Sequence, residues 1–258
     1  MTFNDLLLII ASGLGAGFIN AVSGGGAMLT VPALIFIGIP PGIANGTNRV
    51  AVVVQNVVAI ATYQHLGVSD HRTGFSLAIP ATLGSFFGAF VSVRLDDSEF
   101  QTILGFVLLL LIGPILAEPR LNKKAAEWRQ SFQSGWTSWL IFFLIGVYGG
   151  LLQIGVGIFV LIALSVLKGF DLVLANSIKI EIVLCLTTLA LLLFIAESKV
   201  DWPAGFILAL SNSTGVSLGA RWGVKKGEWW IRIVLTATVI VMALQLLGVL
   251  HWLWALLF

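Results

Sequence analysis

Residues 20–49, the stretch that decides the fold, read NAVSGGGAMLTVPALIFIGIPPGIANGTNR. The stretch lies in strongly apolar sequence, yet it contains three consecutive glycines, three prolines and three asparagines, and it ends in Arg49. A lipid-facing helix does not tolerate this mixture, because irregular backbone persists at membrane depth only where protein or a water-filled cavity surrounds it. The stretch therefore predicts two broken helices that build half of a small-anion site.

The composition of the whole chain is that of a membrane protein. Of its 258 residues, 58% are hydrophobic and 10% are charged, whereas a soluble domain carries roughly 25% charged residues. Apolar runs of roughly 20 residues, the length that spans a bilayer, recur from end to end and are continuous, unlike the alternating strands of a β-barrel. We therefore predict an all-α, polytopic transmembrane protein surrounded by lipid. The net charge of +2 gives no indication of a nucleic-acid partner.

The apolar segments form two repeats of five. The second and seventh segments have only about a dozen residues, too few to cross a ~30 Å core, so we expect them to be re-entrant or half-helices. The ten segments are approximately 5–22, 26–38, 43–65, 73–94, 100–117, 136–153, 157–168, 173–196, 203–222 and 229–256. One constant shift along the chain pairs Gly26 with Gly157, Ala44-Asn45 with Ala175-Asn176, Asp70 with Asp201, Gly74 with Gly205, and Gly84 and Gly88 with Gly215 and Gly219; a two-residue deletion then places Gly13, Gly17 and Asn20 opposite Gly146, Gly150 and Gln153.

The charges of the loops predict that the second repeat is inverted. Five segments per repeat is an odd number, so equivalent loops should lie on opposite sides of the membrane. Loop 94–99 carries one basic and three acidic residues, whereas its equivalent, loop 221–232, carries four basic residues and one acidic residue. Opposite charge is what inversion predicts, since basic loops remain in the cytoplasm. We expect a first membrane repeat at 1–117, a basic cytoplasmic connecting loop at 118–135 and a second membrane repeat at 136–258.

Three charged residues lie inside long apolar segments: Arg49, Lys179 and Glu181. A charge within the bilayer costs several kcal/mol and indicates function by default. Arg49 lies next to the position equivalent to Lys179, so each repeat can deliver one cation to a central site. The alternatives are that all three lie near the interface, or that Lys179 and Glu181 neutralise each other. Glu181 is equally a candidate for proton coupling and for the counter-ion of Lys179.

Glycines and neutral hydrogen-bond donors accompany these charges. A short helix follows the run Ser23–Gly26, so free backbone N–H groups and a positive helix end would face an anion there. Gly155 and Gly157 repeat the arrangement, although close helix packing is the alternative use of these glycines. Broken helices at corresponding places of two inverted halves indicate a secondary-transporter site. The predicted substrate-binding residues are Asn20, Ser23, Gly24, Gly25, Gly26, Asn48, Arg49, Gln153, Gly155, Gly157, Ser177 and Lys179, with Glu181 as the coupling candidate.

Two further patterns concern packing and enzymatic chemistry. Gly84 and Gly88, like Gly215 and Gly219, place small residues one helical turn apart and predict close packing between the repeats. The glycine run is not followed by the Gly-Lys-Ser/Thr of a nucleotide-binding loop. Ser23 could act as a nucleophile only with a base nearby. We expect no enzyme activity, catalytic residue, cofactor or metal, while an anion channel and a homo-oligomer stay open.

Several motifs resemble the TauE/SafE family, the sulfite exporter-like permeases. They are Gly-x-x-x-Gly-Phe-Ile-Asn-x-x-x-Gly-Gly-Gly at 13–26, Thr-Val-Pro at 30–32, Ala-Asn-Gly-Thr-Asn-Arg at 44–49, Gly-Gly-x-x-Gln-x-Gly-x-Gly at 149–157 and Ala-Asn-Ser-x-Lys at 175–179. The resemblance implies a multi-pass secondary transporter of the inner (cytoplasmic) membrane that exports sulfite, or a related sulfur oxyanion or organosulfonate, with coupling to a gradient. Ser177-Ile178-Lys179 departs from the family, where a Gly-Thr-Ser/Asn-like turn is commoner.

Overall fold

The computed structural model describes residues 1–96, 98–100, 103, 135–227, 229–231 and 233–234, and in these residues the regular structure is helical throughout. A five-residue π-helical stretch, Ala163–Leu167, continues the shortest helix. The principal helices are α1 (Phe3–Val22), α2 (Ala27–Phe36), α3 (Pro41–His65), α4 (His71–Ser92), α5 (Gly135–Leu151), α6 (Val156–Ile162), α7 (Leu172–Ala196) and α8 (Trp202–Lys226).

The helix lengths confirm an all-α, polytopic membrane protein. Among the described helices, α1, α4 and α7 are long and apolar enough to cross a membrane, and α2, α5 and α6 are shorter apolar helices. The two segments predicted to be too short to span are α2, with 10 residues, and α6, with 7. Most of the predicted segments 100–117 and 229–256 and of the connecting loop 118–135 lies outside the described residues, as do Asp97 and Glu228. The undescribed parts are 101–102, 104–134, 232 and 235–258. The repeat boundaries and loop sidedness therefore stay predictions.

Equivalent residues start the last described helix of each repeat. The side chain of Asp70 accepts a hydrogen bond from the backbone N–H of Thr73 at 3.1 Å, and that of Asp201 accepts one from Ala204 at 3.0 Å. Such side chains satisfy N–H groups that have no partner within the helix. The constant shift that relates the repeats pairs these two aspartates, so α4 and α8 begin in the same way.

The helices of one half pack mainly on those of the other. α1 packs along α8 and α4 along α5, while α3 packs on α8 and α4 on α7. Under the repeat alignment, the contact of α1 with α8 is equivalent to that of α5 with α4. The contact of α3 with α8 is likewise equivalent to that of α7 with α4. A Cβ atom added to Gly84 would overlap the carbonyl oxygen of Phe143, and one on Gly215 would overlap that of Leu14. The predicted packing of these glycines between the repeats is therefore confirmed.

The central helices α3 and α7 run in opposite directions. Gly46, near the start of α3, lies against Phe194, near the end of α7. Tyr63, near the end of α3, lies in the same buried cluster as Ile180, in the first half of α7. The repeat alignment pairs these helices, and opposed directions are what inversion predicts for such a pair. Inversion of the complete repeats includes residues outside the described part of the chain and stays a prediction.

Candidate functional site

The two halves of the chain touch backbone to backbone at Gly24 and Gly157. Gly24 lies between α1 and α2 with a φ angle of +84°, and it contacts Gly157 in the first turn of α6. A Cβ atom added to Gly24 would lie 2.5 Å from the carbonyl carbon of Gly157. One added to Gly157 would lie 2.7 Å from the Cα atom of Gly24. Both neighbouring atoms belong to backbone that cannot rotate away, so this contact requires glycine on both sides.

A cavity with polar and apolar side chains in its wall opens beside this contact. About 330 Å³ of empty space, including the open mouth, lies between its walls. Lysine and carboxamide side chains form the polar part of the wall, and no described acidic side chain belongs to it. The lining residues are Asn20, Gly24, Ala27, Val52, Gln55, Asn56, Gln153, Val156, Gly157, Lys179, Ile180 and Val183.

Lys179 supplies the positive charge of the cavity. Its side chain is only 2% exposed. The Nζ atom donates hydrogen bonds to the backbone oxygen of Asn20, at 2.8 Å, and to Oδ1 of Asn176. No described acidic side chain forms an ion pair with it. An ammonium group has three N–H donors, so these two bonds leave one donor for a ligand.

Two carboxamides in the cavity wall each have one buried atom without a hydrogen-bond partner. Nδ2 of Asn56 and Oε1 of Gln55 are both buried and unpaired. Buried polar groups are normally paired, and leaving one unpaired costs about 1–3 kcal/mol. Asn56 therefore offers a further donor to a polar occupant of the cavity, which Lys179 also lines.

Arg49 lies outside the cavity wall and binds the end of α5. Its Nη1 donates to the backbone oxygen of Gly149 at 3.1 Å and to Oε1 of Gln153 at 2.9 Å, and its Nη2 donates to the backbone oxygen of Gly150. The guanidinium carbon lies 4.6 Å from the ring centroid of Phe194. A cation at the carboxyl end of a helix is favourable because the helix dipole is negative there. Arg49 thus reaches the cavity only through Gln153, which lines it.

The same hydrogen bonds recur in the two halves. Lys179 in α7 donates to Asn20 near the end of α1, as Arg49 in α3 donates to Gly149 near the end of α5. Nδ2 of Asn45 donates to the backbone oxygen of Leu151 at 3.1 Å, and Nδ2 of Asn176 donates to that of Val22 at 2.9 Å. Each half therefore supplies a cation and an asparagine to the broken helix of the other half.

The contacts of α1 and α5 correct the sequence alignment of these two helices by one helical turn. A Cβ atom on Gly17 would overlap the backbone oxygen of Asn212, and one on Gly146 would overlap that of Ala81. Because the constant shift between the repeats pairs Ala81 with Asn212, Gly17 corresponds to Gly146 and not to Gly150. The correspondence then pairs Gly24 with Gln153, and both have a positive φ angle, +84° and +62°.

Of the residues predicted to bind substrate, the structure brings Asn20, Gly24, Gln153, Gly157 and Lys179 together around the cavity. Three of the predicted residues also form hydrogen bonds with other parts of the chain. Oδ1 of Asn20 accepts a hydrogen bond from the N–H of Gly26, and Oδ1 of Asn48 accepts one from Thr30. Ser177 donates to the backbone oxygen of Val68. The predicted residues outside the cavity wall are Ser23, Gly25, Gly26, Asn48, Arg49, Gly155 and Ser177, as is the coupling candidate Glu181.

Sequence reasoning missed Gln55, Asn56 and His71. Gln55 and Asn56 were detectable, since they are two adjacent carboxamides in the apolar run Val-Ala-Val-Val-Val-Gln-Asn-Val-Val. His71 gave no signal, because its partner Glu181 lies in the other half of the chain. Nδ1 of His71 lies 2.7 Å from Oε1 of Glu181. Glu181 is therefore paired with His71 and is not the counter-ion of Lys179.

Comparison with known proteins agrees with this architecture. Residues 9–246 match the model of the family described as sulfite exporter TauE/SafE. A probable membrane transporter protein of Haemophilus influenzae is 29% identical over 88% of this chain and 89% of its own length. The probable membrane transporter protein YfcA of Escherichia coli K12 is 28% identical over 98% of both chains. No solved structure matches the chain.

Proposed function

This chain belongs to the TauE/SafE sulfite exporter family, and on that premise we propose that it exports sulfite, or a related sulfur oxyanion or organosulfonate, across the cytoplasmic membrane. The observation that carries the proposal is the cavity lined by the Lys179 ammonium and by carboxamides, including the unpaired donor of Asn56. Charge-assisted hydrogen bonds from a cation are the strong bonds that hold an oxyanion. The wall presents no described carboxylate that would repel one.

The proposed mechanism is alternating access. The cavity lies where the glycine turns of the two halves meet, so its walls come from both halves. Gln153 and Gly157 belong to the second half, while Asn20 and Asn56 belong to the first. Rocking of one half against the other around a fixed central site is the usual movement of transporters built from inverted repeats. Such a movement would open the cavity to each side of the membrane in turn.

Uptake of radiolabelled sulfite into proteoliposomes tests both parts of the proposal. We expect saturable uptake that becomes faster when unlabelled sulfite is present on the opposite side. Lys179→Gln should abolish uptake, and Lys179→Arg should retain part of it because the charge is kept. Lys225→Gln, at an exposed residue near the end of α8, is the matched control and should transport normally.

Each alternative predicts a different result in the same experiment. An anion channel would show no acceleration by sulfite on the opposite side, and it would conduct in planar bilayers. If Lys179→Gln folds and takes up sulfite at the wild-type rate, the cavity is not the site that binds the transported anion. Size-exclusion chromatography in detergent separates loss of transport from loss of folding in each variant.

A further inference from the structure

A carboxyl–imidazole pair lies outside the cavity wall. Oε1 of Glu181, in α7, lies 2.7 Å from Nδ1 of His71, the first residue of α4. The Glu181 side chain is 1% exposed, and its Oε2 atom is buried without a hydrogen-bond partner. The His71 side chain is 41% exposed. The pair therefore joins a buried acid to an accessible imidazole.

The pair is separate from the anion cavity, although Glu181 is only two residues from Lys179. Positions two apart on a helix do not face each other, and Lys179 lines the cavity whereas Glu181 does not. Glu181 instead lies against α4. A Cβ atom added to Gly74 would overlap its Oε2 atom. The absence of a side chain at Gly74 thus makes room for the carboxyl group.

The equivalent place in the other half is apolar. Under the constant shift between the repeats, Gly74 corresponds to Gly205 and Glu181 corresponds to Val50. A Cβ atom added to Gly205 would lie 3.4 Å from Cβ of Val50, which is the same neighbour relationship. Valine therefore satisfies the packing at this place. An intramembrane carboxyl group is costly, so packing alone does not account for Glu181.

We propose that Glu181 binds and releases the proton that couples anion export to a proton gradient, with His71 as its relay to the membrane surface. The proposal rests on the proposed transport function. A hydronium ion at the surface gives its proton to Nε2 of neutral His71 and leaves as water, and the Nδ1–H of His71 then transfers its proton to the Glu181 carboxylate. The imidazole is left neutral with its proton on Nε2. Release reverses these steps after movement of the two halves has exposed His71 to the other side of the membrane. Proton shuttling through its two ring nitrogens is a common use of histidine.

The position of the pair links the proton to movement of the repeats. His71 belongs to the first half and Glu181 to the second, and α4 packs on α7 along its length. The bond between them is an ion pair when His71 is charged and Glu181 ionised, and it is a hydrogen bond from a neutral imidazole to a carboxylate when one proton is removed. Proton uptake and release therefore change a contact between the two halves, the surfaces that alternating access requires to move.

The titratable neighbours of Glu181 are few. Besides His71 they are Asp70, at the start of α4, and Cys185, one turn further along α7. The described parts of α3, α5 and α6 bring no further charge against it. Hydrogen bonds from the side chain and backbone of Thr73 hold the pKa of Asp70 below its usual value. Asp70 therefore stays negative, and its charge favours a proton on the neighbouring pair.

Two modes of sulfite transport separate the coupling from the transport itself. Proteoliposomes with equal sulfite and equal pH on both sides report exchange, while an imposed pH gradient reports uphill accumulation. We expect Glu181→Gln to keep exchange and lose accumulation, and His71→Asn to keep exchange and accumulate more slowly. Glu197→Gln, at an exposed residue just after α7, should keep both. Accumulation by Glu181→Gln at the wild-type rate would overturn the proposal.

A second measurement does not depend on the substrate. The infrared carbonyl band of a protonated carboxylic acid should grow in the wild type as the pH is lowered, because Glu181 takes up a proton. The same change should be missing from Glu181→Gln and present in Glu197→Gln. An identical band in all three proteins would refute proton binding at Glu181. Absence of sulfite exchange from the wild type would count against the proposed function alone.

Discussion

Arg49 and Lys179 bind equivalent backbone positions in opposite halves of the protein. Nη1 of Arg49 donates to the carbonyl oxygen of Gly149 at 3.1 Å, and Nζ of Lys179 donates to that of Asn20 at 2.8 Å. Both carbonyls lie in the last turn of a broken helix, where helix carbonyls run out of N–H partners. In a membrane an unsatisfied carbonyl costs several kcal/mol. The two cations therefore stabilise the broken helices, and Lys179 in addition lines the cavity.

Replacement of Arg49 tests its role at the end of α5. Arg49→Ala would leave Gly149, Gly150 and Gln153 without the donors that now bind them. We expect a loss of about 3 kcal/mol or more in the free energy of unfolding, since each bond from a charged donor contributes roughly 1.5–3 kcal/mol. Arg49→Lys should lose less, because an ammonium keeps the charge but not the planar fork. The midpoint of thermal unfolding in detergent measures both.

The opposite result at Arg49 is equally informative. A folded Arg49→Ala protein with unchanged thermal stability and no sulfite uptake would show that Arg49 acts on the anion directly. Lys179→Gln supplies the comparison, because Lys179 lines the cavity and Arg49 does not. For the same loss of thermal stability, we expect Lys179→Gln to lose more sulfite uptake than Arg49→Lys.

The paired asparagines should be needed for stability in both halves. Asn45→Ala leaves the carbonyl oxygen of Leu151 without its side-chain donor, and Asn176→Ala does the same to Val22. We expect each to lower the free energy of unfolding by about 1–3 kcal/mol, the cost of an unpaired buried group. Asn176→Ala should cost more, because Asn176 also accepts from Lys179. Asn4→Ala, at an exposed residue of α1, is the control; equal stability of all three variants would contradict the role of these bonds.

The sequence predicted the broken helices and the cations, but not the partners of the cations. Composition and segment length were sufficient to identify α2 and α6 as too short to span, since both are properties of consecutive residues. Arg49 was predicted to contact substrate, whereas its observed partners lie far along the chain on another helix. A side chain of this length reaches many sites, and only the packing of α3 near the end of α5 determines which one it binds.

The alignment of the first helices shows why a repeat is easier to recognise in a sequence than to align residue by residue. Gly13 and Gly17 are one helical turn apart, as are Gly146 and Gly150. A shift of one turn therefore still places glycine on glycine and keeps the same helix face. Only the contacts with Ala81 and Asn212 separate the two registers. The sequence analysis left open the neutralisation of Lys179 by Glu181, although spacing alone argues against it, because residues two apart face different sides of a helix.

The contact between the glycine turns predicts a severe effect of one added methyl group. In Gly157→Ala the new Cβ would lie 2.7 Å from Cα of Gly24, and Gly157 itself has no positive φ angle. Any effect of this substitution therefore comes from the contact and not from backbone strain. We expect the two turns to separate, with loss of sulfite uptake and lower thermal stability. Gly135→Ala, which meets no atom within 4 Å, should transport normally; normal uptake by Gly157→Ala would contradict the close contact.

Substitutions of Gln153 test the backbone conformation at the cavity. We expect the protein with glycine at this position to be more stable than the one with alanine. Its φ angle of +62° is one that residues with a Cβ atom adopt at a cost of roughly 1–2 kcal/mol. Both Gln153→Gly and Gln153→Ala remove its bonds to Arg49 and to Thr187. Comparing them isolates the backbone, and we expect Gln153→Gly to unfold at the higher temperature.

The usual helix preference provides the control for this order. At a regular helical position alanine is more stable than glycine by about 1 kcal/mol, so the same pair of substitutions at Gln64, exposed in α3, should give the reverse order. A higher unfolding temperature for Gln153→Ala than for Gln153→Gly would show that the turn after α5 is not left-handed at this residue. In that case Gln153 would not correspond to Gly24, and the two broken helices would end differently in the two halves.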